Sequence, residues 1–202
     1  MKIAVIDYKM SNMFSIKNAL DAVDLKSQIT FDHKTILEAD GAVLPGVGSF
    51  PEAMQHLEEL GLIDVISDFI TSGKPFLGIC MGLQVLMGSS TENNGVNCLD
   101  IIDGEVLSIS DKLDNNLKIP HMGWSEVAQQ NNHPLWSDIK DKSYFYFVHS
   151  YYVAPNKKND ILATTSYGFD FVSAIARENM VAVQFHPEKS SKTGLKLLQN
   201  FL

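Results

Sequence analysis

Ten consecutive residues, Pro75–Gln84, have the sequence PFLGICMGLQ and join an apolar run to a helical pattern. The run before Cys80 predicts a short buried strand, and the residues that follow it, as far as Met87, predict the first turns of a helix. Cys80 lies at the junction, with a glycine two residues before it and another two residues after it. This Gly-x-Cys-x-Gly pattern is the thiol counterpart of the Gly-x-Ser-x-Gly nucleophile elbow.

Both glycines have a physical reason in such an elbow. A sharp strand-to-helix turn strains the backbone of the nucleophile, and side chains at the two flanking positions would collide. A helix that begins at Met81 points free N–H groups and its positive dipole end at the Cys80 sulfur, which favours the thiolate and can stabilise an oxyanion. The pattern therefore predicts a catalytic cysteine. The alternative is a buried structural cysteine in an α/β core.

Composition and charge narrow the class of protein. The chain has 202 residues, of which 45% are hydrophobic and 20% charged, and this predicts one globular domain spanning 1–202. The net charge is −8 and no basic cluster exceeds Lys157-Lys158, so we expect no nucleic-acid partner. No apolar stretch has membrane-spanning length and the first residues lack a cleavage site, so we expect no membrane partner and no signal peptide. Two cysteines, Cys80 and Cys98, favour a reducing compartment and predict a cytoplasmic protein.

The first half of the chain alternates predicted strands with predicted helices. Strands are expected at 2–6, 28–31, 41–44 and before Cys80, and helices after a turn at 7–12, with Ser11 or Asn12 as N-cap, and at 50–60 and 62–70. Such alternation implies parallel strands joined by crossovers, and ligands bind beyond the carboxyl ends of such strands. Cys80 and the turn Pro45-Gly46-Val47-Gly48 both follow strands at these ends.

The second half has short strands separated by clusters of Asn, Asp, Gly and Pro. We expect a polar loop at 88–97, strands at 99–110, 119–127, 144–153, 161–167, 171–177 and 181–185, and a final helix at 193–202. A succession of short strands favours an antiparallel section. The sequence therefore predicts an α/β fold whose central sheet is mostly parallel and flanked by helices, with an antiparallel section in the second half.

A thiolate nucleophile needs a base and a group that orients the base. His186 follows the last predicted strand and precedes Pro187 and Glu188, and the rigid proline turn holds an imidazole and a carboxylate close together. Glu188 could accept from one ring nitrogen while the other faces Cys80, which is the logic of a Cys-His-Glu triad. A His-x-Glu pair is also common on surfaces and in metal sites, but no further ligand has suitable spacing, so we expect no metal and no cofactor. The remaining histidines that we expect to be structural or solvated are His33, His56, His121 and His133.

Three motifs together resemble the class I, triad-type glutamine amidotransferases: PGVG at 45–48, GICMG at 78–82 and QFHPE at 184–188. The resemblance covers essentially the whole chain, and the motifs occur in the family's order. Within the family, the chain most resembles the glutaminase subunits of imidazole glycerol phosphate synthase, on PGVGSF at 45–50, HMGW at 121–124, FVHSYY at 147–152 and HPEKSSKTGL at 186–195. The resemblance implies a flavodoxin-like central sheet and a stand-alone glutaminase subunit.

The resemblance also implies a role for each motif. Cys80 attacks the side-chain amide of glutamine and forms a glutamyl thioester, while His186 moves protons and Glu188 orients His186. The backbone N–H groups of Val47 and Met81 form the oxyanion hole. The residues implied to hold the glutamine substrate are Gly46, Gly48, Gln84, His149, Ser150 and Tyr151.

A heterodimer is a further implication of the resemblance. Ammonia would pass to a (β/α)₈-barrel cyclase subunit, which forms imidazole glycerol phosphate and aminoimidazole carboxamide ribotide in histidine biosynthesis. We expect the Val47 N–H to be misdirected until this partner binds and favours a flipped peptide. The residues implied at the partner interface are Asn12, Trp124, Tyr146 and Lys189.

Two positions depart from the subgroup's pattern and keep alternatives open. The loop at 7–12 lacks the usual glycines, and Ser125 stands where the subgroup usually has asparagine. One alternative is a paralogous synthase, such as one for nitrogen-containing surface sugars. A stand-alone γ-glutamyl hydrolase of the same fold is a second, against which the stretches 121–124 and 189–194 argue. A non-catalytic binding module is a third, against which the intact Cys80, His186 and Glu188 argue.

Overall fold

The computed structural model describes residues 1–10, 12–113 and 117–202, so Ser11, one of the two predicted caps, lies outside the described residues. The strands are β1 Lys2–Ile6, β2 Lys26–Thr30, β3 Gly41–Leu44, β4 Phe76–Ile79, β5 Met87–Ser90, β6 Val96–Asn97, β7 Ile102–Ser108, β8 His121–Gln129, β9 Ser143–His149, β10 Tyr151–Pro155, β11 Ile161–Ser166, β12 Asp170–Arg177 and β13 Met180–Val183. The α-helices are α1 Met13–Asp21, α2 His33–Glu38, α3 Phe50–Glu59, α4 Leu62–Thr71, α5 Met81–Gln84 and α6 Ser191–Asn200. Short 3₁₀ helices lie at Glu92–Asn94, Ile109–Asp111, Pro134–Trp136, Lys158–Asp160 and Pro187–Lys189.

The strands form one mixed sheet with the order β2-β1-β3-β4-β13-β12-β10-β7-β5-β6. Neighbours from β2 to β13 are parallel, and β13, β12, β10 and β7 pair antiparallel in succession. β5 pairs parallel with β7, whereas β11, β8 and β9 extend antiparallel from β12. The predicted fold class, a mostly parallel sheet with an antiparallel section in the second half, is confirmed.

The parallel strands are buried on both faces because helices cover both. Successive side chains of β1 point to opposite sides, so Ile3 and Val5 pack into one apolar cluster with α1 and α6, while Ala4 and Ile6 pack into the other with α3 and α4. This explains why β1, β3 and β4 are near-continuous apolar runs in the sequence. In the part of the chain that the structure describes, no helix is long and apolar enough to cross a membrane.

Some predicted boundaries were wrong where a non-local pairing decides the structure. The expected loop at 88–97 contains β5 and β6, because Ser89 and Ser90 pair with β7. The expected single strand at 144–153 is divided at Ser150, because β9 pairs with β8 whereas β10 pairs with β7. Helix α2 was not predicted, although Asp32 caps it by accepting from the Thr35 N–H at 2.8 Å.

Candidate active site

Cys80 occupies a strained turn between β4 and α5. Its φ is +54° and its ψ is −106°, and its N–H donates to the Val183 carbonyl at 2.8 Å. A Cβ on Gly78 would lie 2.6 Å from the Gly82 carbonyl oxygen, and a Cβ on Gly82 would lie 1.8 Å from the Leu44 carbonyl oxygen. Because both are backbone contacts that cannot yield, the turn requires glycine at both positions.

Helix α5 is shorter than predicted from the pattern that runs to Met87. The carbonyls of Val85 and Leu86 accept from the N–H groups of Leu99 and Ile102 at 2.9 and 2.8 Å. These long-range bonds hold the chain after Gln84 in a turn that leads into β5, so the helix ends there.

The pair His186 and Glu188 lies at the carboxyl end of β13, beside the elbow. The Nδ1 of His186 donates to the Oε1 of Glu188 at 2.7 Å, and each side chain is only 3% exposed. This bond fixes the ring and leaves Nε2, which has no partner among the described residues, for another group. Burial alone lowers the pKa of His186, but the negative charges of Cys80 and Glu188 outweigh it and raise the pKa to about 10. The structure therefore brings together the three residues of the predicted triad as a buried ion pair with its orienting carboxylate.

Backbone bonds hold this histidine against β9. The His186 N–H donates to the Tyr146 carbonyl at 2.9 Å, and the Tyr146 N–H donates to the Ser190 hydroxyl at 2.9 Å. The same hydroxyl donates to the His186 carbonyl at 2.6 Å. Tyr146 and Ser190 therefore position the imidazole, and the role of Ser190 was missed by the sequence analysis.

A cavity of about 340 Å³ opens at Cys80. It is lined by Val47, Gly48, Cys80, Met81, Gln84, Glu92, Pro120, Val148, His149, Ser150 and Tyr151. Every residue predicted to bind substrate lines it, except Gly46, which lies behind the wall against Met81 and the Tyr8 hydroxyl. Glu92, Pro120 and Val148 were not predicted.

Both predicted oxyanion donors are occupied. The Val47 N–H donates to the Met10 carbonyl at 2.7 Å, and the Met81 N–H donates to the Gly46 carbonyl at 3.3 Å. The Gly46 carbonyl and the Val47 N–H belong to the same peptide, so one peptide orientation engages both donors. Gly46 has no room for a side chain, since a Cβ would lie 1.9 Å from the Tyr8 hydroxyl, and Gly48 has a φ of +108° that favours glycine.

His149 is held by a chain of buried hydrogen bonds. Its Nδ1 donates to the Tyr151 carbonyl at 2.8 Å, and its Nε2 accepts from the Nδ1 of His121 at 2.9 Å. The Nε2 of His121 in turn accepts from the Ser125 hydroxyl at 2.9 Å. Burial lowers the pKa of His149 to about 3 and that of His121 to about 4, so both rings are neutral. His121 was expected in a loop or on a helix surface, but it lies buried at the start of β8.

The residues predicted at a partner interface lie on the outer side of this site. Trp124 is 51% exposed and its ring contacts that of Tyr146, over which the Lys189 Nζ lies at 5.9 Å from the ring centroid. The exposed Met122 and Tyr144 extend the same apolar face of β8 and β9. Asn12 is exposed and caps α1 by accepting from the Ser15 N–H at 3.3 Å.

Comparison with known families assigns the chain. The model of the family "Glutamine amidotransferase class-I" matches residues 4–202. The chain belongs to the class-I glutamine amidotransferases. Among curated members it is 45% identical over 204 residues to imidazole glycerol phosphate synthase subunit HisH of Pseudomonas putida, covering 99% of this chain and 96% of that one. It is 46% identical to the same subunit of Acinetobacter baylyi, covering 100% and 97%, and 47% identical to that of Methylococcus capsulatus, covering 99% and 95%.

Solved structures show the same class-I amidotransferase fold at much lower identity. A GMP synthase protein of Thermoplasma acidophilum superposes with a TM-score of 0.74 at 18% identity, covering 100% of this chain and 92% of that one. PurLQS from Thermotoga maritima superposes with a TM-score of 0.74 at 16% identity, covering 99% and 96%. At these identities the likeness concerns the fold alone.

Proposed function

We propose that this class-I glutamine amidotransferase is the glutaminase subunit of imidazole glycerol phosphate synthase. It hydrolyses glutamine to glutamate and ammonia in one glutamine amidotransferase domain spanning 1–202, and it delivers the ammonia to a cyclase (β/α)₈-barrel partner in the cytoplasm. The observation that carries the proposal is the juxtaposition of Cys80 in its elbow with the buried pair His186–Glu188. The full-length similarity to HisH subunits supports the choice of synthase.

The first half of the reaction forms a thioester. The Cys80 thiolate attacks the side-chain amide carbon of glutamine, and the carbonyl oxygen becomes an oxyanion. Protonated His186 gives its Nε2 proton to the amide nitrogen, the C–N bond breaks, and ammonia leaves. Glu188 keeps the ring oriented and stabilises its charge through the bond at Nδ1.

Water completes the reaction. Neutral His186 removes a proton from a water molecule, which attacks the thioester carbon. The C–S bond breaks, glutamate is released, and Cys80 returns as a thiolate beside protonated His186. The proton gained by His186 from water restores the starting charge state, so the cycle closes with no cofactor.

The cavity wall supplies contacts that suit an amino acid. Glu92 presents a carboxyl group that can bind the α-ammonium of glutamine, and it is held by the Phe50 N–H at 3.4 Å. Burial raises the pKa of Glu92, while the bond from Phe50 opposes this rise. Gln84 and the backbone of the segment 148–151 line the remaining wall and complete the polar contacts.

The oxyanion hole is closed in this structure, and we propose that the partner opens it. A turn of the Gly46–Val47 peptide moves the Gly46 carbonyl off the Met81 N–H and releases the Val47 N–H from Met10, so a single motion frees both donors. Loss of one oxyanion donor typically costs about 10²–10³ in rate. This arrangement favours a subunit that is slow alone over a stand-alone γ-glutamyl hydrolase.

Docking of the cyclase on the face formed by Trp124, Tyr146 and Lys189 would act on this peptide and on His186. Tyr146 contacts Lys189 through its ring and His186 through its backbone, so this residue joins the outer face to the triad. Asn12 follows the loop whose Met10 carbonyl holds Val47, which extends the proposed interface to the oxyanion turn.

A steady-state assay of glutamate formation tests the proposal in three conditions: the chain alone, with the cyclase subunit, and with the cyclase plus its nucleotide substrate. We expect a rate near background for the chain alone and a rise of at least about 10²-fold with both additions. Three equal rates would contradict the coupling. Absence of glutamate in every condition would contradict the function itself.

A further inference from the structure

A second glutamine, Gln184, lies directly behind the sulfur of Cys80. It follows β13 and is wholly buried. Its Nε2 lies 3.6 Å from the Cys80 Sγ, and its Oε1 accepts from the Nε2 of Gln84 at 3.1 Å. The same Gln84 Nε2 donates to the Tyr151 carbonyl at 3.0 Å.

The direction of this chain of bonds is fixed at its far end. A backbone carbonyl can only accept, so the group of Gln84 that faces Tyr151 must be the NH₂. The second hydrogen of that NH₂ then points to Gln184, which must present its oxygen. The amide nitrogen of Gln184 is thereby directed at the sulfur, and no alternative amide orientation satisfies all three contacts.

We propose that Gln184 is a further catalytic residue, whose amide N–H donates to the Cys80 sulfur, stabilises the thiolate and holds it beside His186. The proposal rests on the proposed function only for the nucleophilic role of Cys80. Gln84, which lines the cavity, would then serve two purposes, since it faces the substrate and also sets the orientation of Gln184.

The surroundings of the sulfur show why such a donor is needed. The Val148 carbonyl lies 3.9 Å from Sγ, where it can accept from the neutral thiol but opposes the thiolate. A buried anion needs partners that donate or carry positive charge, and charge-assisted bonds are the strong ones. His186 supplies the charge from the segment after β13. The Tyr8 hydroxyl, after β1, makes no hydrogen bond among the described residues, although the charge of Cys80 contributes to raising the Tyr8 pKa. Gln184 is therefore the neutral donor that the described part of the chain offers to the sulfur.

The test is the pH profile of Cys80 alkylation by iodoacetamide, a reaction that requires the thiolate but neither glutamine nor an oxyanion hole. For Gln184→Met, which keeps length but removes the amide, we expect the midpoint of the profile to rise by about one pH unit. This shift corresponds to the loss of one hydrogen bond to a charged group. In the complex with the cyclase, we expect glutamine turnover to fall about 10- to 100-fold.

A second variant and a control keep the outcome decisive. Gln184→Asn retains an amide that is one methylene too short to reach the sulfur, so it should show the same shift if Gln184→Met does not fold. Gln129→Met removes a comparable amide, which donates to the Ile139 carbonyl at 3.0 Å on β8, and should leave the profile and turnover unchanged. A wild-type profile in folded Gln184 variants would overturn the inference. A wild-type complex without glutaminase activity would instead overturn the proposed function.

Discussion

Replacement of Glu188 by glutamine probes the orientation of the catalytic histidine. Glu188 accepts from the His186 Nδ1 at 2.7 Å in a site where both side chains are 3% exposed. A hydrogen bond to a charged group contributes about 1.5–3 kcal/mol, and about 1.4 kcal/mol equals one pKa unit. Glu188→Gln should therefore lower the pKa of His186 from about 10 by about one to two units.

The effect on turnover should be larger than this shift alone. The new amide can present its NH₂ to Nδ1, which favours the tautomer with the proton on Nε2 and removes the base from Cys80. We expect kcat to fall by about 10²–10⁴ in the complex with the cyclase. The KM for glutamine should be unchanged, because Glu188 does not line the cavity.

The assay is steady-state glutamate formation with saturating cyclase and nucleotide, together with an NMR titration of the imidazole nitrogens. Glu58→Gln, which removes the same charge on the exposed side of α3, is the matched control and should behave as wild type. Retention of wild-type kcat by Glu188→Gln would refute the assignment of Glu188 as the orienting group.

Three further predictions concern the nucleophile, the partner and the dependence of stability on pH. Cys80→Ser should abolish glutamine hydrolysis, since serine lacks an easily formed anion, while its complex with the cyclase should still form product from ammonium at high pH; failure of ammonium to support synthesis would give the chain more than a nitrogen-delivering role. Lys189→Ala removes the contact with the Tyr146 ring and should lower the partner-stimulated rate by about two- to fivefold without changing the KM for glutamine; an unchanged stimulation, measured in the three-condition assay, would exclude this contact from the coupling. The folded-state pKa of His186, about 10, lies above the ordinary value of about 6.5, so its protonation stabilises the fold fully below about pH 6.5 and this contribution is lost as pH rises through 10. Urea denaturation from pH 6.5 to 10 should therefore show a larger loss of unfolding free energy for wild type than for His186→Gln, and parallel curves would contradict the ion pair.

The local features of the site could be predicted from the sequence because short-range geometry determines them. The elbow needs glycines at fixed offsets from Cys80, and the contacts of Gly78 and Gly82 with backbone oxygens show the reason. The His186–Glu188 pair lies within one proline-containing turn, so its spacing was visible. The alternation of apolar strands with helices likewise predicted the parallel sheet.

The features that were missed depend on contacts between distant segments. Gln184 and Gln84 are 100 positions apart, and the Met10 carbonyl meets Val47 only through the fold. Glu92 lies in a segment expected to be a loop, and its approach to Phe50 follows from the pairing of β5 with β7. No local pattern marks such residues, since polar residues in loops are common.

The most direct measurement of the central claim is the intact mass of the chain after acid quenching of the active complex with glutamine. The account predicts an added glutamyl group that maps to Cys80, is lost on further incubation, and is absent from Cys80→Ser but present in Cys98→Ser. A turning-over complex that never carries this adduct, or that carries it on another residue, would contradict Cys80 as the nucleophile.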